Sequence, residues 1–166
     1  MVLSARREWR SAIAETERAI AEDRNNARAH ADIGFWSIFI GRSEDGFADI
    51  ERAFQLSPRD PAAPTGHFPA CYLRLTLAER ESAVESCNRS LAGQPNGWYP
   101  LVGLAAANAW MGRAGEAKEA LARLAKIYPD FTVAAWTREE WSDDPTFKVR
   151  WARITEGLRK AGAPET

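Results

Sequence analysis

Residues 27–58 read ARAHADIGFWSIFIGRSEDGFADIERAFQLSP. An apolar run ends at the polar turn Gly41-Arg42-Ser43, a second apolar-periodic run follows, and Pro58 closes it. Gly46, Ile50 and Ala53 recur at steps of four and three, which places them on one face of a helix. The stretch therefore reads as a helical hairpin.

The same unit recurs downstream. Pro58, Pro95 and Pro129 close three apolar runs, with gaps of 37 and 34 residues. Upstream of the second and third prolines lie turns at residues 78–83 and 112–117, each small, then charged or polar, then small. After those turns Ala83, Cys87 and Ser90, and then Ala117, Leu121 and Leu124, repeat the spacing of the first unit. The pattern resembles the tetratricopeptide repeat (TPR), a helix–turn–helix unit of 34 residues. In the first unit His30, Ile33, Gly34, Ser37, Gly46, Ile50, Ala53 and Pro58 take the family's positions. His30 and Ser37 depart from it, because the family places large aromatics there. In the last unit Leu101, Leu104, Ala105, Ala117, Leu121 and Pro129 fit and Asn108 departs. The middle unit, with His67, Ala70, Cys71, Ala83, Cys87, Ser90 and Pro95, is the least regular and also holds Pro61, Pro64 and Pro69. Because proline removes a donor and clashes inside a helix, its first helix is expected to start late or bend.

The resemblance implies an all-α solenoid of hairpins with a C-terminal capping helix. Its parts would be a half repeat over 4–26, repeats over 27–60, 61–97 and 98–130, and a cap over 131–162. Trp9, Ile13, Thr16 and Ile20 share the face of a first helix over 4–22 that lacks a hairpin partner. The helix from residue 27 is expected to reach about Ile40, and Ser43 is placed as N-cap of the next, which ends near Leu56. Later helices are expected over about 81–92, 98–110, 115–127 and 132–137. The last helix starts at Asp143-Asp144-Pro145, with an acidic N-cap and proline in its first turn. It carries the stripe Phe147, Trp151, Ile154, Leu158, Ala161 and stops at Gly162. Trp9, Trp136 and Trp151 are expected in the core. Gly34 and Ala53 are expected where helices approach closely.

Composition narrows the function. With 166 residues and a net charge of −1, the chain is expected to form one domain with no basic footprint for nucleic acid. Arg6, Arg7 and Arg10 read as a solvated helix face. The start of the chain has no apolar core long enough for a signal peptide. Residues 90–112 carry no charge, but their apolar part is only 14 residues, short of the ~20 a membrane span needs. Cys71 and Cys87 occupy facing slots of one hairpin, and the expectation is a reduced, buried pair in the cytoplasm.

Little in the sequence points to chemistry. His67 and Cys71 stand four apart on one helix and could offer two metal ligands, but no third or fourth ligand has suitable spacing. Glu139-Glu140 and Asp143-Asp144 read as a solvated loop and a helix cap rather than acid/base pairs. No phosphate-binding or dinucleotide glycine pattern is present. No cofactor, metal or catalysis is expected.

The TPR resemblance implies a protein-interaction module, with the first helices of successive units lining a concave groove. Helix phase places Phe35, Phe39, Phe68, Tyr72, Tyr99 and Trp110 on that side. Many relatives grip a peptide's terminal carboxylate with Lys, Arg and Asn there. Here those positions are apolar or aromatic, and an apolar helix laid in the groove fits better. The same aromatics would also serve as core beneath neighbouring helices. The rival reading is a small-molecule sensor or enzyme-associated domain with its ligand in this groove. Segments 129–133, 144–147 and 156–165 also resemble the end of certain bacterial proteins. In these a class III adenylate/guanylate cyclase domain precedes a TPR region, which implies a regulatory role in a larger signalling protein. The unpaired first helix and the apolar groove are expected to drive a two-fold dimer with Trp9, Phe35 or Phe39 at the contact. The alternative is a monomer whose groove is closed by its own helices.

Overall fold

The computed structural model describes residues 8–57, 63–138 and 141–166. Among them are nine helices and no strand: α1 (Trp9–Glu22), α2 (Ala27–Ser37), α3 (Ser43–Leu56), α4 (Ala63–Thr76), α5 (Arg80–Gly93), α6 (Trp98–Trp110), α7 (Ala114–Ile127), α8 (Val133–Arg138) and α9 (Pro145–Ala161). The expected start of α1 at residue 4, Arg6, Arg7, Pro58, Pro61 and Glu139-Glu140 lie outside the described residues.

α2 with α3, α4 with α5, and α6 with α7 form three antiparallel hairpins, each packed on the next, and α1 packs on α2. The three hairpin turns share one backbone device. Gly41, Ala78 and Gly112 hold φ of 72°, 63° and 73°, the left-handed region. Glycine enters it freely, whereas Ala78 does so against its own Cβ. The small residue opening each turn is thus the one that reverses the chain. Behind the first turn, a Cβ on Gly34 would lie 2.6 Å from Ile50 Cγ1 and 2.8 Å from the Gly46 carbonyl oxygen. Only glycine lets α2 and α3 approach so closely, and Ala53 is buried on the same face of α3.

Several local expectations shift. α2 ends at Ser37 rather than Ile40, and residues 38–41 form the turn. Ser43 is not the N-cap of α3 but its first residue; Arg42 holds the cap position without a side-chain capping bond. The buried Ser43 hydroxyl instead accepts from Thr76 Oγ1 of α4 at 2.8 Å. α4 is as long as α3 and α5 and runs through Pro69. Cys71 and Cys87 are not a reduced pair. They form a buried disulfide between α4 and α5, with Cα atoms 5.0 Å apart.

α6 is buried at every position from Pro100 to Asn108, as befits a helix apolar on all sides. Its concave side is covered by α9. Asp144 caps α9 by accepting from Phe147 N–H at 2.9 Å, Pro145 begins it and Gly162 ends it at φ 86°. α9 turns back over the first helices, packing chiefly on α6 and also on α4, α7 and α8. Phe147, Ile154, Leu158 and Ala161 are buried in it. At the crossing, a Cβ on Gly157 would stand 2.9 Å from both Cβ and the carbonyl oxygen of Ala106. No described helix is long and apolar enough to cross a membrane.

Candidate binding cleft

Away from that crossing the concave face is not filled. Phe35 of α2, Ile38 and Phe39 of the following turn, Phe68 and Tyr72 of α4, and Tyr99 of α6 wall one side of a cavity of about 240 Å³. Trp141, from the connection between α8 and α9, and Trp151 of α9 wall the other. The spacing i, i+4 puts Phe35 with Phe39, and Phe68 with Tyr72, one turn apart on their segments. Their rings touch in series. Phe35 lies 5.2 Å from Phe39 and 5.3 Å from Phe68, while Phe68 lies 5.2 Å from Tyr72 and 5.4 Å from Tyr99. Most of these pairs are tilted or edge-on, the arrangements aromatic quadrupoles favour. Tilted rings leave space between them that flat stacks would close.

The cleft carries little charge. The Tyr72 hydroxyl donates to the Tyr99 carbonyl oxygen at 2.9 Å. Burial, aided by Tyr99, holds the Tyr72 phenol well above its ordinary pKa of 10.0, so it stays neutral. The Trp151 indole N–H is buried with no acceptor among the described residues. Trp151 itself is sandwiched, stacking on Trp136 at 4.9 Å and on Phe147 at 5.0 Å.

The rim is tied down by long-range contacts. Trp9 stacks on Phe39 at 4.3 Å and donates its indole N–H to the Trp141 carbonyl oxygen at 2.8 Å. The Ser142 hydroxyl donates to the Phe39 carbonyl oxygen. Arg150 of α9 pairs with Glu44 of α3 through two bonds of 2.5 and 3.1 Å, which holds the Glu44 carboxyl below its ordinary pKa. Within the chain, Trp9 is thus partly covered by Phe39 and residue 141.

Five of the six groove residues named from the sequence therefore meet at one cavity: Phe35, Phe39, Phe68, Tyr72 and Tyr99. Trp110 does not join them. It stands at the far end of α6, 37% exposed, donating to the Arg153 carbonyl oxygen at 2.9 Å beneath Lys160 and Arg80. Ile38 was legible from helix phase as part of the same face. Trp151 was read only as core, and Trp141 follows no periodic pattern that could have pointed to it.

The histidines lie elsewhere. His30 Nδ1 is 2.8 Å from Asp49 Oδ1, and the His67 ring lies tilted against Phe54 with centroids 4.7 Å apart. Burial, with Arg89 nearby, lowers the His67 pKa. Cys71, spent in the disulfide, offers no thiolate beside His67. No group of three or more His, Cys, Asp or Glu among the described residues could hold a metal.

No family model and no curated protein matches the chain. Solved structures do. A crystal structure of MamA superposes with a TM-score of 0.67 at 17% identity, over 93% of this chain and 91% of that one. A double mutant of MamA gives 0.66 at 12% identity, over 91% and 85%. YrrB, described as a TPR protein with an unusual peptide-binding site, gives 0.62 at 17% identity, over 93% and 76%. At these identities the likeness establishes the TPR-type fold.

Proposed function

We propose that the chain is a non-enzymatic protein-interaction module that holds apolar side chains of a partner polypeptide in the aromatic cleft. The observation that carries this reading is the unfilled cavity on the concave face, walled by aromatics from three successive hairpins. That YrrB, a protein of the same fold, has a peptide-binding site supports it. α9 already packs where a bound helix would lie on α4 and α6, so the site takes one or two side chains rather than a whole helix. Trp110 is left outside it. The regulatory signalling context rests on the resemblance of the tail alone.

Selection of peptides from a displayed library against the full chain tests this. Selected peptides should lose more than about tenfold in affinity to Phe68→Ala, as truncation of a central anchor pocket does. Trp110→Ala should leave them unchanged. Failure to select any peptide, or binding indifferent to Phe68→Ala, would sink the reading. Because Trp9 and Phe39 find partners within the chain, we propose the monomer over the dimer. A sedimentation mass that rises with micromolar concentration would reverse that choice.

A further inference from the structure

A second pocket lies between α5, α6 and α7, apart from the aromatic cleft. Asn108, near the end of α6, stands where the TPR pattern has a tyrosine. Beside its shorter side chain is a space of about 270 Å³. Asn108 is only 5% exposed. Its backbone carbonyl oxygen accepts from the Arg113 N–H at 2.9 Å, but its side-chain carboxamide bonds to no described residue. Unlike the sealed Trp151 indole N–H, the amide keeps its polar atoms open, through the pocket it lines. Buried polar groups are ordinarily paired, so an unused donor and acceptor at the foot of a pocket mark a place for a ligand. Leu104 and Ala120 beside it are buried and Val84 half-buried. At the mouth stand the exposed Arg113, Glu116, Glu119 and Arg123. Among the described residues the last three make no ion pair, and Arg113 only approaches Glu81 at 3.9 Å.

We propose that this pocket binds a free amino acid with a carboxamide side chain, glutamine or asparagine, whose amide pairs head to head with that of Asn108. The site is independent of the aromatic cleft and of what binds there. Hydrogen-bond inventory is the first argument. Asparagine offers a donor and an acceptor side by side, and another primary amide answers both at once. A trans peptide bond points its N–H and C=O in opposite directions and answers only one. Desolvation is the second, because apolar walls around a neutral amide disfavour a charged group at that depth. Charge is the third. The mouth carries two cations and two anions, which suits the carboxylate and ammonium of one zwitterion left at the surface. An adenine edge also pairs with asparagine, but a nucleotide's phosphates would meet Glu116 and Glu119. Size agrees, since a cavity of about 150 Å³ already accommodates benzene.

The test is an NMR titration of the 15N-labelled full chain with L-glutamine and L-asparagine to about 10 mM, which covers dissociation constants of about 1 mM and tighter. At least one should bind and shift the side-chain amide pair that disappears in Asn108→Leu. The matching acid, L-glutamate or L-aspartate, has the same shape. It should bind more than about tenfold more weakly, because it lacks the donor and would bury a charge. N-acetyl-glutaminamide keeps the carboxamide without the zwitterion and stands for a glutamine within a polypeptide. It should bind about two- to tenfold more weakly than glutamine, as should glutamine to Arg113→Gln combined with Arg123→Gln, since exposed ion pairs are worth little each. Asn108→Leu should abolish binding and Phe68→Ala should leave it unchanged. Should Asn108→Leu fail to fold, the ligand series and the surface double variant decide. No binding of either amino acid, equal binding of the acid, or loss in Phe68→Ala would overturn the proposal. Equal binding of N-acetyl-glutaminamide would overturn the free amino acid and assign the pocket to a polypeptide's glutamine.

Discussion

α2 and α6 hold equivalent places in their hairpins, yet their concave sides have opposite fates. α6 presents the small Ala106, and α9 lies directly on it through Gly157. Its other side is equally close-fitting, since a Cβ on Gly103 would sit 2.9 Å from both sulfurs of the Cys71–Cys87 bond. α2 and the turn after it present Phe35, Ile38 and Phe39, and here the returning segment stands off and leaves the cleft. Small side chains let backbones close together; large ones hold them apart and fill space incompletely. Side-chain size along one face thus separates a sealed half from an open half.

The largest test of this contrast is a pair of truncations. Leu158→Ala, in the sealed half, should cost about 2–5 kcal/mol, because a close-packed site cannot collapse around the missing atoms. Phe68→Ala removes a larger side chain but opens onto existing space, so it should cost less than about 3 kcal/mol, below the range for a fully enclosed phenylalanine. Urea midpoints would measure both, and a costlier Phe68→Ala would break the comparison.

Next is the disulfide, which spans 16 residues of chain behind α6. Reducing it should lower stability by about 3 kcal/mol, chiefly by freeing the unfolded chain. Thiol titration in denaturant should find no free cysteine until reductant is added. Two reactive thiols at the outset would restore the reduced pair expected from the sequence.

Gly157→Ala should then cost about 1–3 kcal/mol by prying α9 from Ala106. Equal stability would mean that the helices are not in contact there. The smallest effect belongs to Glu44→Gln, which unties α9 from α3. An exposed pair of this kind is worth about 0.2–1 kcal/mol. The pairing lowers the Glu44 pKa from 4.5, so its contribution is fully present above that value and fades as pH falls through the lowered one. Variant and parent should therefore differ at neutral pH and converge in strong acid; a gap that persists in acid would point to lost packing instead.

Much of the architecture was legible because it is local. The turn residues Gly41, Ala78 and Gly112, the spacing of Gly46, Ile50 and Ala53, and the Asp144 cap and Gly162 stop all act within a few residues of themselves. The rest depends on distant partners. Ser43 has an N-cap's chemistry, but Thr76 of α4 claims its hydroxyl, and the cap moves to Arg42. Facing slots foretold that Cys71 and Cys87 would meet, while spacing could not tell thiols from a bond. The stripe on α9 showed that the helix would bury one face, not which surface would receive it. Gly157, beside that stripe, was the overlooked sign of a close crossing. Phe35, Phe39, Phe68, Tyr72 and Tyr99 could be grouped from helix phase, whereas Trp141 enters only through the path of the chain.

The return of α9 also bears on how the chain comes to be folded as it is made. Repeat arrays fold by nearest-neighbour steps, each unit closing on the one before. Here Trp9 waits for Trp141, 132 positions later, and Phe39 waits for Phe147. At about 5–20 residues per second, the first aromatic face would stand uncovered for roughly ten seconds of synthesis. The segment from Trp141 to Phe147 thus reaches the first aromatic face only after the three intervening hairpins have been made.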